Sequence, residues 1–327
     1  MSTNFTYGNQ PNVTAQELAF SIYTDVDAAF FDVEHPEHDW YKVVTEDMVI
    51  NSINPGATSY AARVREKTGA AAFVGKNENN NIPKVGQSIG AIEVPLAASA
   101  VGATLNNEDA RQYQFGFNSN LAQDLGEAMR EACDNLIEQT VFFGDKSVGF
   151  RGFLNYADIP VTNAASNGAT PTPSTKWKDK TPLQVVKDVN DALTKVWEDS
   201  KGLFLPNVVY LPMAQYALLA NMPFELNSNV AFSSALTYLK TNNLYSNRRG
   251  GELEIVPIRW LAGAGVGGAD RMVVQDRSKK NQGMPFPLPY TVQQPVPVPL
   301  GAEFYAEQKH GSYFIRQKLS TLYVDGI

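Results

Sequence analysis

The stretch NSNLAQDLGEAMREACDNLIEQTVFFGDKSVGFRGFLNY, Asn118 to Tyr156, decides the reading of this chain. Leu121, Leu125, Ala128, Met129, Ala132, Leu136, Thr140 and Phe143 recur at three- and four-residue spacing, which is one face of a helix. Asp124, Glu127, Glu131, Asp134 and Glu138 fall on the opposite face, with Arg130 placed to pair with Asp134 one turn on. A helix from Asn118 to Phe143 would run roughly 39 Å, long for a globular domain. Gly144 is a natural stop. Beyond it, GFRGF sets two glycines around an arginine, which fits either a phosphate cradle or a sharp corner. No helix N-terminus follows to receive an anion, so the corner is the reading. Phe142 and Phe143 would anchor the helix end, and Asp145 to Val148 would form the turn. Gly149 and Gly152 would let the backbone bend around Phe150 and Phe153. Arg151 would be left for a carboxylate or an intersubunit contact.

Upstream, residues 1–56 are polar with short helical patches such as TAQELAFSIYTDVDAAFF, and they end at the Asn-Pro-Gly turn signal of NSINPGATSY. Residues 57–105 hold two strand-like limbs, SYAARVREKTGAAAF and IGAIEVPLAASAVGATL, around the Asn-rich tip VGKNENNNIPKVGQS. A hairpin of this length is marginal in water alone, so support from outside its own domain is expected.

Downstream, TNAASNGATPTPSTKWKDKT is a Pro/Ser/Thr-rich loop. Thr181-Pro182 then opens a helix carrying Val185, Val189, Leu193 and Trp197. PNVVYLP reads as a strand, MAQYALLAN as a helix, and SNVAFSSALTYLKTNN as a third helix with Ser228 as its cap. GELEIVPIRWLA and DRMVVQDRS read as strands, and the alternation argues for an α/β subdomain. Prolines at 285, 287 and 289, and again at 295, 297 and 299, remove donors from one side of an extended chain. Each block therefore suits an edge strand or a polyproline segment. AEFYAEQKHGSYFIRQKLSTLYV alternates as strands and carries a His-Gly-Ser turn.

Composition excludes several classes. A net charge of -7 disfavours tight nucleic-acid binding, which needs clustered Lys and Arg. The single cysteine, Cys133, allows neither an intrachain disulfide nor a Cys-based zinc site, and its place near the apolar stripe predicts core packing. MSTNFTYGNQ has no basic or apolar leader region, and no apolar run is long enough to span a membrane, so a soluble protein of a reducing compartment is expected. Charged residues make up only 19%, below the usual quarter, in keeping with a surface partly covered by other subunits.

Four short patterns resemble chemistry. GQSIG, Gly86 to Gly90, matches the serine-hydrolase elbow and would use Ser88 with His310. Its flanks are a loop and a strand rather than the strand and helix an elbow needs. GAGVGG, Gly263 to Gly268, fits the dinucleotide fingerprint but precedes a strand, so a loop is expected. GAAAFVGK, Gly69 to Lys76, misses the P-loop spacing by one residue, and Asn77 replaces its Ser/Thr. EHPEHD offers His35 and His38 with Glu34, Glu37 and Asp39, but Pro36 breaks regular ligand spacing, so surface polarity is expected. No catalytic, cofactor-binding or metal residue is assigned.

The order of these elements resembles the major capsid proteins of tailed bacteriophages with the Hong Kong 97 fold. The resemblance implies an α+β fold. Its parts would be an N-terminal arm (1–56), an extended β-hairpin loop (57–105), a spine helix with peripheral domain (106–169), an α/β axial domain (170–283) and returning peripheral strands (284–327). FFGDKSVGFRGFLNY is similar to the family's turn out of the spine helix. The implied function is structural and non-enzymatic: self-assembly into hexamers and pentamers of an icosahedral shell enclosing double-stranded DNA. DNA would be held without sequence-specific binding, and an acidic spine-helix face (Glu127, Glu131, Asp134) lining the interior would keep it from adhering. Scaffolding, portal and decoration proteins are the further partners the family implies, with no membrane and no cofactor. The place implied is the virion capsid, assembled in the host cytoplasm. Some relatives crosslink extended-loop lysines, and Lys67, Lys76 and Lys84 lie in the matching segment, although crosslinking is not expected here. The alternatives are an encapsulin-like nanocompartment shell and, in a different class, a serine hydrolase using Ser88.

Overall fold

The computed structural model describes residues 36–73, 83–117, 121–169, 172–224 and 233–327. Chain order gives α1 (Trp40–Val43), β1 (Val49–Ile50), β2 (Ser59–Thr68), β3 (Gly86–Asn106), α2 (Asn107–Phe117), α3 (Leu121–Phe142) and β4 (Val161–Asn163). Next come α4 (Pro182–Asp199), β5 (Val208–Leu211), α5 (Met213–Asn221), β6 (Pro223–Phe224), β7 (Ser233–Ser234), α6 (Ala235–Thr241), α7 (Leu244–Arg249), β8 (Glu254–Pro257) and β9 (Arg271–Gln275). The closing part supplies β10 (Gln282–Pro285), β11 (Leu288–Val292), β12 (Val296–Val298), β13 (Gly301–Gly311), β14 (Phe314–Ile315) and β15 (Thr321–Asp325).

The expected hairpin is present. β2 and β3 pair antiparallel without a break from Ser59 opposite Pro95 to Thr68 opposite Gly86. Near the base, Ala62 and Val94 are buried with Phe314. Farther out nearly every residue of both strands is exposed. β3 is 21 residues long, and its second half, Leu96 to Asn106, leaves β2 behind and pairs with β13 instead. β11 and β12 add to the far edge of β13, where Pro289 and Pro297 sit as the alternating prolines predict. Pro285 differs. It ends β10, the inner strand between β1 and β14, where it closes the strand instead of shielding an edge.

A mixed sheet of order β4-β15-β9-β5-β8 separates two cores. Strand periodicity assigns the faces. Val209, Leu211, Met272, Val274, Leu322 and Val324 face α4, α5 and α6, whereas Val208, Tyr210, Val273 and Tyr323 face the end of α3 and the segment after it. α4 starts as read: Gln184 Oε1 accepts from the Thr181 backbone N–H at 3.0 Å, and Val185, Val189 and Leu193 are buried. The terminal strands divide their work. β13 joins the hairpin sheet, while β15 lies inside the central sheet between β4 and β9. The expected His-Gly-Ser turn is therefore no hairpin: after Gly311 the chain moves on to β14, which pairs with β10.

Three helical expectations are corrected. The third helix begins at Ala235 and is capped by Ser234, whose side chain accepts from the Thr237 N–H; Ser228 lies outside the described residues. The described part of the long helix is α3, 22 residues, about 33 Å, ending at Phe142 and not Phe143; the expected start at 118–120 lies outside the described residues, and α2 is described before it. The phase of α3 also differs. The buried line is Met129, Cys133, Ile137 and Val141, whereas Ala128, Ala132, Leu136 and Phe143 are exposed. Both series are apolar at i,i+4 spacing, and the sheet under the helix selects the one through Met129, Cys133 and Ile137, with Gln308 of β13 donating to the Cys133 carbonyl at 3.2 Å. The helical patches expected before residue 36 lie outside the described residues.

Candidate assembly surfaces

The chemical patterns come apart in three dimensions. Ser88 is an exposed residue inside β3, paired with Glu66, and not on a turn. His310 is buried in β13 opposite Ala97, so nine residues of extended β3, about 30 Å, separate the two. They cannot share a proton. Gly263 to Gly268 form a loop with positive φ at Gly263, Gly267 and Gly268, followed by β9 as expected. Gly69 lies just past β2, while residues 74–82, including Lys76, are outside the described part. Lys67 and Lys84 are exposed. Among the described residues no group of three or more His, Cys, Asp or Glu could hold a metal, and no helix is long and apolar enough to cross a membrane.

EHPEHD is not simply surface polarity. Glu34 and His35 are outside the described residues, but His38 and Asp39 turn inward to a charged knot at α3. His38 Nδ1 lies 2.7 Å from Glu138 Oε2. Glu138 Oε1 accepts from Arg259 Nη2 and from Trp260 Nε1, each at 2.5 Å. Asp39 Oδ2 accepts from the Arg259 backbone N–H at 3.0 Å, and its Oδ1 from Lys42 at 2.7 Å. Glu138, expected on the exposed acidic face, is thus buried. Burial alone would raise its pKa, but the hydrogen bonds from Trp260, Arg259 and His38 outweigh burial and hold it below the usual carboxylate range. The knot ties residues 38 and 39 to α3 and to the loop after β8.

At the far end of α3 the corner is built by close backbone approach. Gly144 has φ +71°, and a Cβ there would meet the Phe150 carbonyl at 2.5 Å. A Cβ on Gly152 would meet the Phe142 carbonyl at 2.3 Å. The Phe153 and Leu154 N–H groups cap the last helical carbonyls, those of Val141 and Phe142, at 2.7 and 3.1 Å. Phe142 and Phe153 are fully buried, but Phe143 is 39% exposed and meets Trp260 edge-on. Arg151 is exposed over the Tyr156 ring, 5.5 Å from its centroid.

Two surfaces stand out beyond the packed cores. Arg63, Arg65 and Lys67 alternate along β2, so all three project from one face of the hairpin, and all are exposed. Ile89, opposite Arg65 on that face, is 65% exposed. The second surface is the side of α3 turned away from the sheet, where Ala128, Ala132 and Leu136 run beside Glu127 and Glu131. Arg130 and Asp134 lie 3.9 Å apart, as the i,i+4 spacing predicted.

Comparison with known proteins agrees with this layout. A family model described as major capsid protein matches residues 69–327. No curated protein matches. Among solved structures, the chain is similar to the capsid of Myoviridae Phage XM1, with 17% identity, a TM-score of 0.74, and coverage of 96% of this chain and 99% of that one. It is also similar to the capsid of a native GTA particle, with 10% identity, a TM-score of 0.58 and coverage of 95% and 97%. A chain from Microbacterium phage Oxtober96 gives 12% identity, a TM-score of 0.58 and coverage of 96% and 99%.

Proposed function

Since the chain belongs to the major capsid protein family and has the Hong Kong 97-type fold, we propose that its copies form hexamers and pentamers that close an icosahedral shell around double-stranded DNA. The observation that carries this reading is the hairpin, ten paired rungs of β2 and β3, nearly all exposed beyond the base. Two packed cores stabilise most of the other described residues, yet this hairpin buries almost nothing of its own. Neighbouring copies would cover it and supply the burial that a lone hairpin lacks.

In this reading residues 1–56 act as the arm, 57–105 as the extended loop, 106–169 as spine helix and peripheral domain, 170–283 as the axial domain, and 284–327 as the returning segment. The subunit is a building block and performs no catalysis. Scaffolding, portal and decoration proteins would be its further partners, and assembly would take place in the host cytoplasm. Negative-stain microscopy and sedimentation of the expressed chain test the proposal, with closed shells, rings or capsomers as the expected result. A chain lacking residues 70–88 should keep its melting temperature and lose the shells. A full-length chain that stays monomeric or dimeric at every concentration would overturn the reading.

A further inference from the structure

The loop between β4 and α4 holds the one Asn-Gly pair in the chain, Asn167-Gly168. Hydrogen bonds converge on the Asn167 side chain. Its Oδ1 accepts from the Ala169 backbone N–H at 3.0 Å and from the Ser174 N–H at 3.1 Å. Its Nδ2 donates to the Asp179 carbonyl at 3.0 Å. The Asn167 backbone is held as well. Its N–H donates to the Ser174 carbonyl at 2.9 Å, and its carbonyl accepts from Gln184 Nε2 at 3.1 Å. Gly168 is exposed with φ +72°, and its N–H donates to Ser166 Oγ at 3.2 Å. With no Cβ, Gly168 leaves its own nitrogen open to close approach.

Two N–H donors on one carbonyl oxygen are the arrangement that stabilises charge developing there during acyl transfer. In an Asn-Gly pair the nucleophile is the next backbone nitrogen, already tethered to the carbon it attacks. We propose that Asn167 is a self-modification site, at which the Gly168 nitrogen closes on Asn167 Cγ to a cyclic imide that water opens to aspartate or isoaspartate. The Gly168 nitrogen gives up its proton to solvent past the Ser166 hydroxyl and bonds to Cγ. The Cγ–Nδ2 bond breaks, and ammonia leaves with a proton from water. Water then adds to either imide carbonyl and leaves a carboxylate. The product cannot donate to the Asp179 carbonyl and sets a negative charge against it. Opening to isoaspartate also adds a methylene to the backbone beside the carbonyl that Gln184 holds. Gln184 closes the cap of α4 through Thr181, so the change reaches the start of that helix. The site and the shell reading do not depend on each other.

Timed incubation of the purified full-length chain tests it, in buffer and, in parallel, unfolded in urea at the same pH. Peptide mass mapping reads amide-to-acid conversion and isoaspartate at residue 167. Conversion should be about tenfold faster in the folded chain, because only folding brings both N–H donors to Oδ1. It should also rise with pH, because the attacking nitrogen must lose its proton. Gly168→Ala should slow conversion by about tenfold or more in both states, with melting used to confirm its fold. The wild-type comparison needs no variant. Asn167→Asp installs the product, and hydrogen exchange in the first turn of α4 should then quicken by about threefold or more. No conversion at residue 167 overturns the proposal, as does a folded chain that converts no faster than the unfolded one, or Gly168→Ala converting at the wild-type rate. Unchanged exchange in Asn167→Asp overturns the consequence drawn for the α4 cap.

Discussion

Arg271 grips Asp325 through two nitrogens, Nε at 2.6 Å from Oδ1 and Nη2 at 2.8 Å from Oδ2. Its third nitrogen, Nη1, donates to the Leu154 carbonyl at 2.5 Å, and Asp325 also accepts from the Val266 N–H at 3.0 Å. One buried guanidinium thus joins β9, β15 and the segment after the corner. Burial would raise the Asp325 pKa, but Arg271 and the Val266 N–H hold it below the ordinary carboxylate value. Asp325→Ala strands the cation and should cost about 3–5 kcal/mol by denaturant unfolding. The depressed pKa gives stability that is present above about pH 4 and lost as pH falls through the lower folded value.

His310 supplies a second pH dependence, at higher pH. It is buried between Phe150 and Phe286, with ring centroids 5.9 and 5.8 Å away. Burial lowers its pKa, only partly offset by the Gly311 carbonyl. The unfolded chain takes up a proton near pH 6.5 while the folded chain resists, so stability should fall as pH drops below about 6.5. Melting temperatures between pH 7 and 5.5 check this. His310→Gln should flatten the slope in that window by up to about 1.4 kcal/mol per pH unit.

The knot at Glu138 predicts a graded pair of variants. Glu138→Ala leaves Arg259 and Trp260 Nε1 without their acceptor and should cost about 3 kcal/mol. Glu138→Gln keeps a neutral acceptor for both and should cost about half as much. Hydrogen exchange should show residues 38–44 losing protection before the central sheet does, because His38 and Asp39 tie that segment down.

Glycine substitutions should separate the corner from the hairpin. Gly152→Ala drives a Cβ into the Phe142 carbonyl, a backbone atom that cannot rotate away, and should cost about 3 kcal/mol or prevent folding. Gly90→Ala meets nothing within 4 Å and should stay within about 0.5 kcal/mol of wild type. Urea midpoints for the two chains decide it.

The elements that could be read from sequence were those written in local pattern. The β2/β3 hairpin, α4 with its Thr181 cap, and the Gly144 to Gly152 corner follow from spacing and turn chemistry within a few residues. The phase of α3 did not, because Ala128-Ala132-Leu136 and Met129-Cys133-Ile137 are equally regular and only the sheet chooses between them. α2 was missed. Its sequence lacks a clear apolar stripe, and Phe115 is left 96% exposed, though Glu108 and Asp109 in its first turn were a usable start signal. The charged knot was out of reach of local reasoning: Glu138 meets partners 100, 121 and 122 residues away. The basic face of β2 was not read, although Arg63, Arg65 and Lys67 alternate in the sequence, and only the sheet shows which side of α3 is turned away from the core.

β3 belongs to two sheets at once, and that makes it a lever. Its rungs with β2 end where its rungs with β13 begin, near Pro95 and Leu96, with no loop between them. A neighbour that pulls on the outer rungs therefore moves backbone continuous with the floor beneath α3. Strain applied at the periphery of one copy reaches its centre without a joint to absorb it.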